Sequence, residues 1–141
     1  MRLLFLLMLA SSVQASTFDV DTYSSSIEYA QVTYVSARQN DDDTWCFSTS
    51  VRHNDQGWKH YADGWAVIDI EGNVLGYRKL GHPHDNEQPF TRRQCNINIP
   101  AGISTVIVRA KCNNHGFGGK AILVNLNNEQ GDGYSVKRYP R

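Results

Sequence analysis

Residues 81–93, GHPHDNEQPFTRR, hold the densest set of chemistry-bearing side chains in this chain of 141 residues. Two histidines flank a proline, acids follow, and a proline–aromatic step leads into an arginine pair. Neutral imidazole is the commonest side-chain ligand for zinc and copper, and three or four complete a site. A proline between His82 and His84 stiffens the segment and lowers the entropic cost of presenting both rings. The chain has five histidines, the others being His53, His60 and His115. They predict a copper or zinc site drawn from His53, His82, His84 and His115, with His60 in reserve. Asp63 and Glu87 are the candidate carboxylates that orient the imidazoles, and Arg92 can pair with one of them to hold the loop. HxH arises easily by chance, so a competing reading has loop histidines that hydrogen-bond and pin a proline-broken backbone.

Strand order decides whether rings so far apart in sequence can meet. Residues 27–36 mix β-branched, aromatic and polar residues as a first strand does. The run RQNDDD breaks it as a solvated turn, lacking the spaced acids and glycine of a calcium loop. From Thr44 to His53 the alternation is strict. Trp45, Phe47, Thr49, Val51 and His53 share one face, and Cys46, Ser48, Ser50 and Arg52 the other. Further strands are predicted over 65–70, 74–80, 90–99, 104–112 and 120–126, with a glycine-bearing hairpin turn at 71–73. Seven short strands with turn signals between them, and no helix-period segment, predict a single immunoglobulin- or fibronectin-III-like sandwich. In that topology the end of the second strand, the loop before the fifth and the loop after the sixth lie at one pole, so all five histidines gather there.

The same topology sets Cys95, early in the fifth strand, near Cys112, at the end of the sixth. A disulfide between them is predicted, worth about 3 kcal/mol by loop closure, with Cys46 as the odd thiol. The spacing Cys112-Asn-Asn-His115 invites comparison with blue-copper sites, which also want an axial ligand such as methionine. Both methionines lie in the leader, and a disulfide at Cys112 would remove the thiolate, so that reading is set aside. The motif GxSxG does not occur, and HGFGGK at 115–120 has the wrong spacing for a phosphate-binding loop. Asp85 and Glu87 look solvated, which leaves acid–base chemistry unsupported. Catalysis is therefore not expected. Trp58, Tyr61 and Trp65 supply a second reading. Trp58 and Tyr61 beside the histidines could stack on sugars or peptide side chains, making a metal-free recognition module.

Residues 1–15, MRLLFLLMLASSVQA, have the early positive charge, short apolar run and small residues of a signal peptide cleaved after Ala15. The run is too short for a permanent membrane helix. Losing Arg2 from a chain with 14 Lys+Arg and 14 Asp+Glu leaves one excess negative charge, which argues against nucleic-acid and polybasic membrane partners. The expected product is periplasmic or secreted: an irregular lead-in over 16–26, a sandwich over 27–126 and a polar tail over 127–141. Its partners would be a metal ion or another exported protein.

The motifs VRH at 51–53, GWKHYADGW at 57–65, HPHDNEQPFTR at 82–92 and RAKCNNHGFGG at 109–119 resemble those of a family of small exported bacterial proteins of uncharacterised function. The resemblance covers about half of the mature chain. It implies a secreted β-sandwich and no particular activity. All five histidines fall on its motif positions, whereas Cys46, Cys95 and Cys112 do not match it.

Overall fold

The computed structural model describes residues 17–140, so the leader expected over 1–15 lies outside the described residues. Among these residues the chain is all-β, with ten strands. The seven predicted ones appear as β1 (Gln31–Gln39), β2 (Trp45–Arg52), β3 (Ala62–Ile68), β4 (Val74–Lys79), β5 (Phe90–Ile97), β6 (Thr105–Cys112) and β8 (Ile122–Asn125). Three short additions are β7 (Gly116–Phe117), β9 (Gln130–Gly131) and β10 (Tyr134–Lys137).

Two five-stranded sheets face each other. One has the order β5-β2-β1-β10-β9; in the other, β4-β3-β6 is flanked by β7 and β8, which both pair with β6. The period-two pattern explains the packing. On β2 the side chains of Trp45, Phe47, Thr49 and Val51 are buried, and on β6 those of Val106, Val108, Ala110 and Cys112 are. Of these, Trp45, Phe47, Val51, Val106, Val108 and Ala110 join Val32, Val35, Trp65, Val67 and Phe90 in the core between the sheets. A smaller cluster of Ala66, Ile68, Ile107 and Ala121 lies outside it, packed against Phe18, Val20 and Phe117. The lead-in thus covers sheet surface, although its sequence reads as irregular.

Two expectations are corrected. The disulfide joins Cys46 to Cys95, and Cys112 is a buried free thiol. The reason is sheet membership. β2 and β5 are hydrogen-bonded neighbours, with Trp45 opposite Ile97 and Phe47 opposite Gln94, so the two cysteines meet at a register shift. Asn96, at φ 57°, takes the left-handed conformation there, which asparagine tolerates better than most residues. β6, carrying Cys112, belongs to the opposite sheet. The second correction concerns the polar tail, which supplies β10. That strand pairs in parallel with β1, Val35 opposite Tyr134 and Ala37 opposite Val136, and buries both apolar side chains.

Candidate metal centre

The histidine end is built where β2 leaves its sheet and β3 and β6 approach from the other. β2 ends at Arg52, and its inward alternation delivers His53 to the rim of the core, where it is 1% exposed. The loop after it carries Asp55 and His60, and β6 ends in Cys112 with His115 three residues on. Gly118 and Gly119 let that last loop lie against Tyr29 and Ala30; a side chain at Gly119 would meet the Ala30 carbonyl. Hydrogen bonds from Ser24 N to Gly118 O (2.8 Å) and from Val32 N to Lys120 O (2.8 Å) close the seam. Glu28 is thereby held over the group.

Three of the five rings come together here, those of His53, His60 and His115. Nε2 of His53 and Nε2 of His60 stand 3.1 Å apart, and the backbone carbonyl oxygen of Glu28 is 3.1 Å from the first and 3.2 Å from the second. That same oxygen accepts from Cys112 Sγ at 3.6 Å. The His115 backbone N–H donates to Cys112 Sγ at 3.2 Å. Two groups of side chains could hold a metal ion among the described residues. One is His53, His60 and Cys112, all buried; the other is Glu28, His60 and His115, which opens to solvent.

Asp55 orients the inner group. Its side chain is fully buried. Oδ1 accepts from His53 Nδ1 at 2.6 Å and from Ala62 N at 3.0 Å, while Oδ2 accepts from His84 N at 2.7 Å. Burial alone would push the carboxyl up. The hydrogen bonds from His53, Ala62 and His84 outweigh it and hold the carboxyl below its ordinary value. An ionised Asp55 keeps the proton of His53 on Nδ1, which leaves the Nε2 lone pair aimed at His60. A histidine that donates to a carboxylate through one nitrogen and presents the other is the usual form of a metal-ligating histidine.

The HPH loop is arranged differently. His84 stacks on Phe90, with ring centroids 3.8 Å apart and planes at 8°. Arg92 Nη2 lies 3.0 Å from His84 Nε2, and since a guanidinium can only donate, that lone pair is taken. Burial first, then Arg92 and His82, hold the His84 pKa below its ordinary value. Gln88 stitches the loop to β2, accepting from His53 N at 3.0 Å and donating to His84 O at 3.1 Å. His82 is exposed, bonded through Nδ1 to Pro83 O and 4.5 Å from the His84 ring. The structure therefore brings His53, His60 and His115 together, and leaves His82 and His84 across Asp55 from them.

The remaining candidates separate in the same way. Arg92 does pair with Glu87, at 3.4 Å. Asp63 instead binds Lys111 at 2.8 Å, away from the imidazoles. Trp58 is 65% exposed and meets Tyr61 edge-on at 5.5 Å; Asn113 anchors both, accepting from Tyr61 N and donating to Trp58 O. Two participants were not singled out in the sequence: Asp55, two residues after His53, and Glu28, whose part is played largely by a main-chain carbonyl. Cys112, set aside as a copper ligand because a disulfide was expected there, is free.

One curated protein similar to this chain comes from Halomicrobium mukohataei and is named "Putative lipoprotein"; it is 39% identical over 94 residues, 67% of this chain and 45% of that protein. The chain spans about half the length of the curated relative it matches. No family model matches the chain, and no solved structure does. The similarity supports the coarse reading of an uncharacterised family, while the individual loop motifs rest on the sequence alone. No helix of the described residues is long and apolar enough to cross a membrane.

Two nitrogen ligands on one tetrahedral zinc stand about 3.3 Å apart, given metal–nitrogen distances of about 2.0–2.1 Å. The 3.1 Å between His53 Nε2 and His60 Nε2 matches that edge. The free state of Cys112 also removes the objection raised against a cysteine ligand. His53, His60 and Cys112 could together hold a metal ion, with the Glu28 carbonyl oxygen beside both imidazoles.

Proposed function

We propose that this is an exported β-sandwich protein that binds one transition-metal ion, copper or zinc, for sequestration or delivery and not for catalysis. The first ligands are His53, His60 and Cys112, with the Glu28 carbonyl beside them. The observation that carries this reading is the 3.1 Å approach of two imidazole Nε2 atoms, one of whose rings is locked by a buried carboxylate. Export is supported by the leader-like start of the sequence, by the Cys46–Cys95 disulfide, which suits an oxidising compartment, and by the lipoprotein name of the relative.

The test is a calorimetric titration of chelator-stripped protein with Zn²⁺ and Cu²⁺ at about pH 7.5 and about pH 5.5. Binding of about one ion, weakening sharply at the lower pH as imidazoles and thiolate take up protons, is expected. His60→Gln and Cys112→Ser should each lose at least about tenfold in affinity, with circular dichroism confirming the fold. His82→Ala combined with His84→Ala should leave the affinity within about twofold, since neither ring joins the group. A wild-type protein that binds neither ion overturns the reading.

A second reading is favoured by the exposure of Trp58, braced edge-on by Tyr61. The same end would then act as a metal-free module recognising carbohydrate or protein. A ligand bound by stripped protein and lost in Trp58→Ala supports that alternative.

A further inference from the structure

His60 is the member common to both groups of potential ligands, and it uses a different nitrogen toward each. Its Nε2 faces His53 Nε2 at 3.1 Å, in the buried group with Cys112. Its Nδ1 lies 3.3 Å from Glu28 Oε2, on the side where His115 stands, with the His60 and His115 rings 5.1 Å apart and nearly perpendicular. Exposure falls in order along this line. The Glu28 side chain is 46% exposed, that of His60 7% and that of His53 0%. A buried site needs an entry path, and this gradient of ligands is one.

Resting on the metal reading above, we infer that Glu28, His60 Nδ1 and His115 form an outer capture station, from which an ion passes to the inner station of His60 Nε2, His53 and Cys112. The proton bookkeeping closes in both positions. With an ion on Nδ1, the His60 proton sits on Nε2 and donates to His53 Nε2 or to the Glu28 carbonyl, both within 3.2 Å. With the ion on Nε2, one proton has moved to Nδ1 and donates to the Glu28 carboxylate. The hand-over breaks two bonds besides metal–ligand bonds: the His60 Nε2–H bond, whose proton is replaced by one on Nδ1, and the Cys112 S–H bond, whose proton leaves to solvent as the sulfur takes the ion; nothing is oxidised. Glu28 is suited to the outer role: Asn54 Nδ2 donates to its Oε1 at 2.8 Å and holds the carboxylate beside His60 Nδ1.

The inner station contains sulfur and the outer one does not, so cobalt(II) distinguishes them. Only an ion on Cys112 produces the near-ultraviolet thiolate-to-cobalt charge-transfer band. Stopped-flow mixing of stripped protein with Co²⁺ follows that band directly. Glu28→Gln and His115→Ala leave every inner atom in place, since Glu28 gives the inner station only its carbonyl and His115 only its backbone N–H. In both variants the band is expected to grow at least about tenfold more slowly; the equilibrium affinity read from it stays within about twofold in His115→Ala and falls in Glu28→Gln, whose carboxylate also orients His60 once the ion is on Nε2. Wild-type rates in both variants overturn the hand-over and leave the inner site standing. A wild-type protein that never develops the band, and binds no zinc by calorimetry, overturns the metal reading and the hand-over with it.

Discussion

Asp55 divides its two oxygens between segments that carry different histidines. Oδ1 fixes the His53 ring and Oδ2 accepts from the backbone of His84. Asp55→Asn should therefore weaken Zn²⁺ binding by about 10–100-fold, because an amide cannot accept on both sides and the ring loses its anchor. It should also cost about 1–3 kcal/mol of unfolding free energy in a denaturant titration, from buried donors left without an acceptor. His84 titrates in another window. Its pKa is held below the ordinary 6.5, so the stability it contributes is complete above that value and is lost as pH falls through the lower folded value. Stability measured from about pH 7 down to about pH 5 should decline, and His84→Phe, which keeps the stack on Phe90, should flatten that decline. The sequence made the histidines visible by type but could not rank them. An HPH triplet reads as a pair of ligands until Phe90 and Arg92 fold back onto the second ring. Asp55 lies among ordinary turn residues, and no side-chain pattern announces the Glu28 carbonyl.

Strands were the most legible level. Strict alternation in residues 44–53 and 104–112 names the buried face of β2 and β6 directly, and it puts His53 and Cys112 at their rims. Partnership between strands was harder. Parity sets Cys46 on the face opposite Trp45 and Phe47, yet its disulfide partner buries it, and parity does not say which neighbour lies beside it; the disulfide followed the β2–β5 ladder. β10 offers only Tyr134 and Val136 as apolar positions in a polar stretch, and its parallel pairing with β1 spans nearly the whole chain. Such signals are too sparse for periodicity to register. The GFGG loop is the element on which the site most depends. Gly119→Ala would drive a methyl group against the Ala30 carbonyl. Forcing that seam apart should destabilise the protein by roughly 1–3 kcal/mol and weaken metal binding, because Glu28 and His115 sit on its two sides. Thermal melts with and without Zn²⁺ would show both effects.

At the scale of the whole sandwich, the disulfide and the proposed metal site occupy opposite ends of one strand. Cys46 is the second residue of β2 and His53 follows its last, a separation of roughly 23 Å at about 3.3 Å per residue. Replacing Cys46 and Cys95 together by serine should lower stability by about 2–4 kcal/mol and leave the zinc affinity unchanged. A parallel loss of affinity would mean that the two ends are coupled.

The course of the first and last described segments has a practical meaning. Phe18 N bonds to Ile70 O, just beyond the end of β3, and Tyr139 N to Gln39 Oε1, at the end of β1. β1 starts and β3 begins at the histidine pole, so both extremities emerge on the far side of the body. A resin or a fluorescent fusion joined to either of these segments would leave the histidine pole on the opposite side, with His82 and His115 facing solution.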